Sequence, residues 1–440
     1  MTQTTSTKKA FKNIAWLLGE KGITMGLSLG VSIVLARYLG SAEFGQLNYL
    51  TSFIALLVPF SSLGLNGLVV RELVNGDRSE ATIVGTALTL RVVGGVVAIL
   101  LTTVTCLFIY TNTLVPMQWM ILASIGSMFT SLYLFDFYFQ SIVESKYAVK
   151  SKVLTLLIAS GLKVLAVYYD LPLQYFLMLI VLEPALNGLL LAMFFVRRKQ
   201  FAERIAYHPQ YSKDLISQSK WLIFSGFMSV IYLKIDQLMI GDMLGDSFLG
   251  DYSIAVRISE VWYFFPVAFV SSFFPKLLKN RTDQARYQKS LQLICDGLFW
   301  LALALAVFMS LTADWLVDIL YGAEYSAAAQ VLVIHIWAGV FIFMRALLSK
   351  WLIAESQLKF SLVTHGLAAL VNIVLNLWWI PVYGIVGAAW ATLISYACSS
   401  YLVLWLHKDT WIMAKIMSNT LTFPVRVLKQ LLCRKNYLSS

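Results

Sequence analysis

Charged side chains are scarce in this chain. Asp, Glu, Lys and Arg together make up 13% of its 440 residues, where an average soluble domain carries about 25%. A chain of this length with so little charge is not a string of ordinary water-soluble domains. Cysteine is nearly missing as well. Cys106, Cys295, Cys398 and Cys433 are scattered through apolar stretches with no CxxC and no metal-ligand spacing. That excludes a disulfide framework and a zinc site, and it leaves the thiols as small hydrophobes. No Walker A sequence occurs, so ATP hydrolysis by this chain is excluded, and neither HExxH nor GxSxG is present. No polar segment is long enough for a soluble catalytic domain. A polymerase or acyltransferase would need a large loop or a His/Asp motif, so no catalytic residue, metal or cofactor is expected. The N-terminus is polar, with Lys8, Lys9 and Lys12, and the first apolar run lacks a small-residue cleavage site; no cleavable signal peptide is expected.

What the chain does have is apolar length. Hydrophobic residues make up 59% of it, and they fall in runs of the roughly 20 residues that a helix needs to cross the hydrocarbon core. Only helices and closed barrels satisfy their own backbone in lipid. The alternation of barrel strands is absent, so an all-α membrane protein is expected. The runs predict twelve spans, at roughly 14–36, 45–68, 82–110, 116–140, 152–169, 172–196, 219–241, 252–275, 290–312, 328–351, 361–380 and 384–406. Asp170-Leu171-Pro172 and Pro381-Val382-Tyr383-Gly384 are read as tight turns.

Loop charge sets the expected topology. One set of segments comprises the N-terminus, Arg71–Arg78, Lys146–Lys152, Arg197–Lys220, Lys276–Lys289, Lys350–Lys359 and the tail beyond His407, and, with Lys21 counted in the N-terminal group, it carries 28 of the 34 Lys and Arg. The alternate loops carry only Arg37, and are acidic through Asp170, Asp242, Asp246, Asp251, Asp314, Asp318 and Glu324. The positive-inside rule puts the basic set, and with it both termini, in the cytoplasm. This bias accounts for the net charge of +11 without nucleic acid as a partner. The organisation read from these features is an N-terminal lobe over 1–196, a cytoplasmic linker over 197–218, a C-terminal lobe over 219–407 and a basic tail over 408–440. The tail alternates apolar and basic residues as an interfacial helix would.

The chain also repeats itself. At an offset of 205 residues Trp16 falls on Trp221, and Tyr38–Gly45 (YLGSAEFG) falls on Met243–Gly250 (MLGDSFLG). Arg71 falls on Lys276 and Arg91 on Asp296. Both copies start on the basic side, which makes the repeat parallel, with a pseudo-twofold axis along the membrane normal.

Charges lie inside the spans, where each is costly. Glu20, Lys21, Arg91, Asp136, Lys163, Glu183, Lys234, Asp236, Arg257, Glu260, Asp296 and Arg345 all do so. A water-filled central cavity would relieve many of them. Lys21, Arg91, Asp296 and Arg345 could instead reach the nearer interface by snorkelling. Arg257 and Glu260 are three apart on one helix face, the spacing of a local ion pair. Lys234 and Asp236, two apart, point to different faces. Lys163 sits mid-span with no acid nearby in sequence, and is the leading candidate for a cavity cation. Gly22, Gly26 and Gly30 repeat every four residues, the pattern of close helix packing. His335 and His365 are isolated on apolar helices and are read as core.

Several longer segments resemble one family. They are Ala36–Tyr49, Leu63–Leu73, Tyr138–Tyr147, Tyr252–Leu277, Ile334–Glu355 and Asn372–Tyr396. Their order and spacing over roughly 11–405 resemble the bacterial O-antigen and polysaccharide flippases of the multidrug/oligosaccharidyl-lipid/polysaccharide exporter superfamily. The resemblance implies about twelve helices in two six-helix lobes forming a V around a central, usually cationic cavity. It also implies alternating access at the bacterial inner membrane. The cargo would be an undecaprenyl-pyrophosphate-linked oligosaccharide, moved from the cytoplasmic to the periplasmic leaflet. Besides membrane lipids, a polysaccharide polymerase and chain-length proteins are implied as partners. On this reading Lys21, Arg37, Arg91, Lys163, Lys234 and Arg257 are the candidate cations for the pyrophosphate. Asp236, Glu260 and Asp296 are candidates for ion pairs or for coupling to H+ or Na+. The competing readings are a drug/cation antiporter of the same superfamily, whose cavity should be acidic, a lipid II flippase, a membrane-embedded enzyme and a non-transporting scaffold.

Overall fold

The computed structural model describes residues 2–108, 115–198, 205–279, 281, 283–355 and 357–426, and their side chains from residue 19 onward except at 275, 276, 279 and 358. The described residues contain no β-strand. Their helices are α1 (Thr2–Ser62), α2 (Asn66–Asn75), α3 (Glu80–Phe108), α4 (Met117–Met128), α5 (Leu134–Ser141), α6 (Lys146–Tyr168), α7 (Leu173–Arg198), α8 (Pro209–Leu244), α9 (Asp246–Glu260), α10 (Phe264–Lys279), α11 (Gln284–Tyr321), α12 (Ser326–Ala354), α13 (Leu358–Ser400) and α14 (Trp411–Asn419). Among the described residues ten helical stretches are apolar and long enough to cross a membrane. Two of them, Gly19–Asn75 with 57 residues and Lys359–Leu406 with 48, are each long enough for two crossings. Both turn back at a glycine, Gly40 (φ 71°, ψ 175°) and Gly384 (φ 60°, ψ −144°), in backbone that disfavours a Cβ. The bundle therefore has about twelve spans, in two lobes.

The repeat is visible in the backbone. Gly245, the counterpart of Gly40, has nearly the same conformation (φ 104°, ψ 176°) and separates α8 from α9. The two copies meet face to face. A Cβ on Gly45 would lie 1.9 Å from the Asp246 carbonyl oxygen, and a Cβ on Gly250 would lie 2.1 Å from the Ser41 carbonyl oxygen. Since Ser41 and Asp246 are themselves counterparts, the contact is reciprocal, as a pseudo-twofold axis requires. One large apolar core runs through this end of the molecule and joins both halves, through residues such as Phe44, Leu50, Phe176, Tyr252 and Tyr325. A second, at the basic end, gathers Val69, Ile83, Phe139 and Phe195 with Tyr211 and Leu215.

That second core corrects the expected linker. Residues 209–218 are helical, as the start of α8, and Tyr211 and Leu215 pack into the N-terminal lobe. The His208 imidazole accepts from Tyr211 N–H and caps the helix. The glycine stripe is corrected too. Nothing lies within 4 Å of a Cβ placed on Gly22, Gly26 or Gly30, so they make no tight helix contact. Close approach happens elsewhere: a Cβ on Gly94 would meet the Phe60 carbonyl at 2.1 Å. In the tail, Met413, Ala414, Ile416 and Met417 are buried, and Trp300 on α11 donates to the Thr420 carbonyl at 3.0 Å. One face of α14 is thus docked on the C-terminal lobe. The tail residues Val427, Leu428 and Leu431 lie outside the described residues.

Candidate functional site

Two adjoining cavities of about 290 and 310 Å³ lie between the lobes and share Ser28, Thr51 and Arg257 in their walls. They are one chamber pinched at Arg257. The first compartment is bounded by α1, α6 and α7 and contains Lys163 and Glu183. The second is bounded by α1, α8 and α9 and contains Lys234 and Glu260. Each lysine is bridged to its carboxylate, Lys163 to Glu183 at 3.0 Å and Lys234 to Glu260 at 3.3 Å. Both pairs stay partly open to the chamber. One pair belongs to each lobe. Between them the Arg257 guanidinium donates to Asn48 Oδ1 at 3.2 Å and lies 5.9 Å from the Phe44 ring centroid. Among the described residues no carboxylate bridges Arg257. Of the described residues, three cations and two carboxylates line the chamber, an excess of one positive charge.

These contacts revise several expectations. Lys163 has an acid partner after all, brought in by the antiparallel α6–α7 hairpin from twenty residues away. The local Arg257–Glu260 pair does not form, because Glu260 is taken by Lys234 across α8 and α9. Lys234 and Asp236 do face apart: the lysine lines the chamber, while Asp236 is buried within the C-terminal lobe.

Other expected site residues lie away from the chamber. Arg91 is buried in the N-terminal lobe, where it donates to the Thr130 carbonyl at 2.9 Å and to Asn66 Oδ1 at 3.3 Å. The Thr130 carbonyl lies in the 3-10 segment Phe129–Tyr133, a stretch outside the regular α-helical ladder. Arg345 is held in the same manner by the Ser399 carbonyl and Thr364. Neither arginine snorkels. Asp296 bridges Arg426 at 2.8 Å and accepts from Gln292, which fastens the tail to α11 rather than facing a cavity. Lys21 is exposed near the basic end of α1 and lines neither compartment.

Arg37 sits at the acidic end and donates to the carbonyls of Ile319 and Leu320 at 2.5 and 2.9 Å, at the C-terminal end of α11. Around it the lobes are clasped by further bonds. Glu324 accepts from Ser41 N–H, Asp246 from Gln46, Asp242 from Tyr49, and the Ala36 carbonyl from Tyr325. Deeper in, Ser52 donates to Gln237. The acidic end of the chamber is therefore closed.

Asp236 heads a buried polar chain. Its carboxylate accepts from Tyr252 Oη at 2.5 Å, Thr392 Oγ1 at 3.1 Å and Gln237 N–H at 2.8 Å. Asn372 continues the chain from Thr392 to Asn376, whose buried Oδ1 has no partner. The chain thus runs from a buried acid that accepts three bonds to a buried amide oxygen that accepts none. The sequence reading missed Asn48, Glu183 as a chamber residue, Tyr252, Thr392, Asn372 and Asn376. Their only signal was polarity inside an apolar run.

Comparison with known proteins agrees with this architecture. Residues 10–281 match the family described as "Polysaccharide biosynthesis protein", and residues 222–378 match MatE. The first match covers more than half of the chain, so the chain belongs to the polysaccharide biosynthesis protein family. The ten long apolar helical stretches among its described residues make it a multi-pass membrane protein. It is similar to the probable low-salt glycan biosynthesis flippase Agl15 of Haloferax volcanii, at 24% identity over 43% of this chain and 41% of the relative. The match thus spans less than half of that relative's length. The fold is similar to an inward-facing multidrug resistance MATE family transporter of the MOP superfamily, with TM-score 0.71 and 12% identity over 89% and 95% of the two chains. It is equally similar to the lipid II flippase MurJ in an inward closed conformation, with TM-score 0.71 and 15% identity over 94% and 93%.

Proposed function

We propose that this transporter flips a lipid-linked oligosaccharide, with the anionic head group crossing through the chamber while the lipid tail stays in the bilayer. The observation that carries the reading is Arg257, a cation at the centre of the chamber that a neutral amide holds and that, among the described residues, no carboxylate bridges. A pyrophosphate entering there would meet a planar, permanently charged donor. Lys163 and Lys234 flank it and can exchange their carboxylates for phosphate oxygens. A drug/cation antiporter would need acid in excess, and here the excess is basic.

The positive-inside rule orients the closed, acidic end outward, so both termini would be cytoplasmic and the described state would load from inside. The undecaprenyl carrier, an O-antigen-type repeat unit, the bacterial inner membrane, and a polymerase and chain-length proteins as partners rest on the sequence resemblance alone. Asp236 is proposed as the coupling group. Arg37, at the outer clasp, would act on gating rather than on binding.

The test is flipping of a fluorescent polyprenyl-pyrophosphate oligosaccharide in proteoliposomes. Arg257→Ala should slow flipping tenfold or more, and Lys163→Ala by less, with both variants still folded by thermal melting. An intact protein that moves no head group under any ion gradient, yet exports cationic dyes, would establish the antiporter instead.

A further inference from the structure

We infer that Asn48 is the positioning residue for Arg257, and that its being an amide rather than an acid is what keeps the chamber selective for an anionic head group. The inference rests on the flippase reading above.

Asn48 lies on α1 and is 4% exposed. Its Nδ2 donates to the Phe44 carbonyl one turn back at 2.7 Å, and its Oδ1 accepts from Arg257 at 3.2 Å. The two contacts fix each other. A carbonyl can only accept and a guanidinium can only donate, so flipping the amide would lose both bonds. The side chain is therefore locked with its oxygen toward α9. Arg257 is thereby tethered across the lobe interface, from α9 to α1, in the wall common to both compartments.

The chemistry of the tether is specific. An aspartate at position 48 would have nearly the same size; it would lose the bond to the Phe44 carbonyl, hold the guanidinium more strongly and cancel its charge. The chamber's other carboxylates, Glu183 and Glu260, are each committed to a lysine. Asn48 thus orients the cation and leaves its charge available. A carboxylate there would bring the lining to three cations and three anions, and an incoming diphosphate would have to displace a bound acid.

The experiment uses the full chain in detergent, with farnesyl pyrophosphate as the probe, binding read by tryptophan fluorescence and folding by thermal melting. Asn48→Asp should raise Kd at least tenfold with the protein still folded by thermal melting. Asn48→Ala, which frees the guanidinium without neutralising it, should raise Kd only a few-fold. In an Arg257→Ala background, Asn48→Ala should add less than twofold, because the two residues act as one unit. Unchanged binding by Asn48→Asp, or an equal loss by Asn48→Ala in both backgrounds, would overturn the positioning role while leaving the flippase reading intact. An intact protein that does not bind the probe would overturn both.

Discussion

Gly45→Ala is expected to spring the closed end of the chamber open and, on the flippase reading, to reduce flipping at least tenfold. The added methyl would sit 1.9 Å from the Asp246 carbonyl oxygen and 3.1 Å from Gly250 N. Both are main-chain atoms at the start of α9, so no side-chain rotation relieves the clash, and the helices must separate. Overpacking of this kind costs about 1–3 kcal/mol, and each 1.4 kcal/mol is a factor of ten in a population. The closed state would fall by about one to two orders of magnitude relative to open ones. Spin labels at the exposed Tyr169 and Trp315, in a background without native cysteines, would report the change as a longer, broader distance distribution. Gly161→Ala is the control, since nothing lies within 4 Å of its added methyl. Unaltered distances and normal flipping in Gly45→Ala would show that the contact does not hold the end shut.

The second large effect is expected at Asp236. Asp236→Asn keeps the volume and most of the hydrogen bonds but removes the charge, so, if Asp236 is the coupling group, the protein should fold and lose the response of flipping to an ion gradient. Asp236→Ala leaves Tyr252, Thr392 and the Gln237 amide without their acceptor. Each orphaned buried group costs about 1–3 kcal/mol, so a total of about 3 kcal/mol or more is expected, read as a marked fall in melting temperature. Imposing a Na+ gradient and a pH gradient separately on proteoliposomes identifies the ion. If Asp236→Asn responds to both gradients as the intact protein does, Asp236 is structural and coupling lies elsewhere.

The spans and their reversals were legible because they depend on local properties. An apolar run of sufficient length must be a membrane helix, and Gly40 and Gly384 sit where the chain turns. The repeat was legible for the same reason, since Leu39-Gly40 and Leu244-Gly245 serve one backbone geometry twice. Partner choice was not. The Arg257–Glu260 spacing suits a local pair, but Lys234 on the next helix wins Glu260. Lys163 looked isolated because Glu183 is distant along the chain and adjacent only once α6 and α7 pair. Gly22, Gly26 and Gly30 form the same sequence pattern whether they pack or face open space. Arg91 and Arg345 looked long enough to escape to the interface, but buried carbonyls hold both. The start of α8 read as a loop because its polar residues hide the two that matter, Tyr211 and Leu215.

The Gly45–Gly250 contact imposes a constraint on the chain's two halves. In a symmetric homodimer an isologous patch must complement its own image, so one substitution enters the interface twice. Here the two images are encoded separately, and Ser41 has already diverged from Asp246 without disturbing the main-chain contact. Side chains around the seam can therefore specialise one half at a time, as Arg37 and Glu324 have done. The backbone-to-backbone meeting itself leaves neither half free to gain a side chain at its glycine unless the facing main chain of the other half moves.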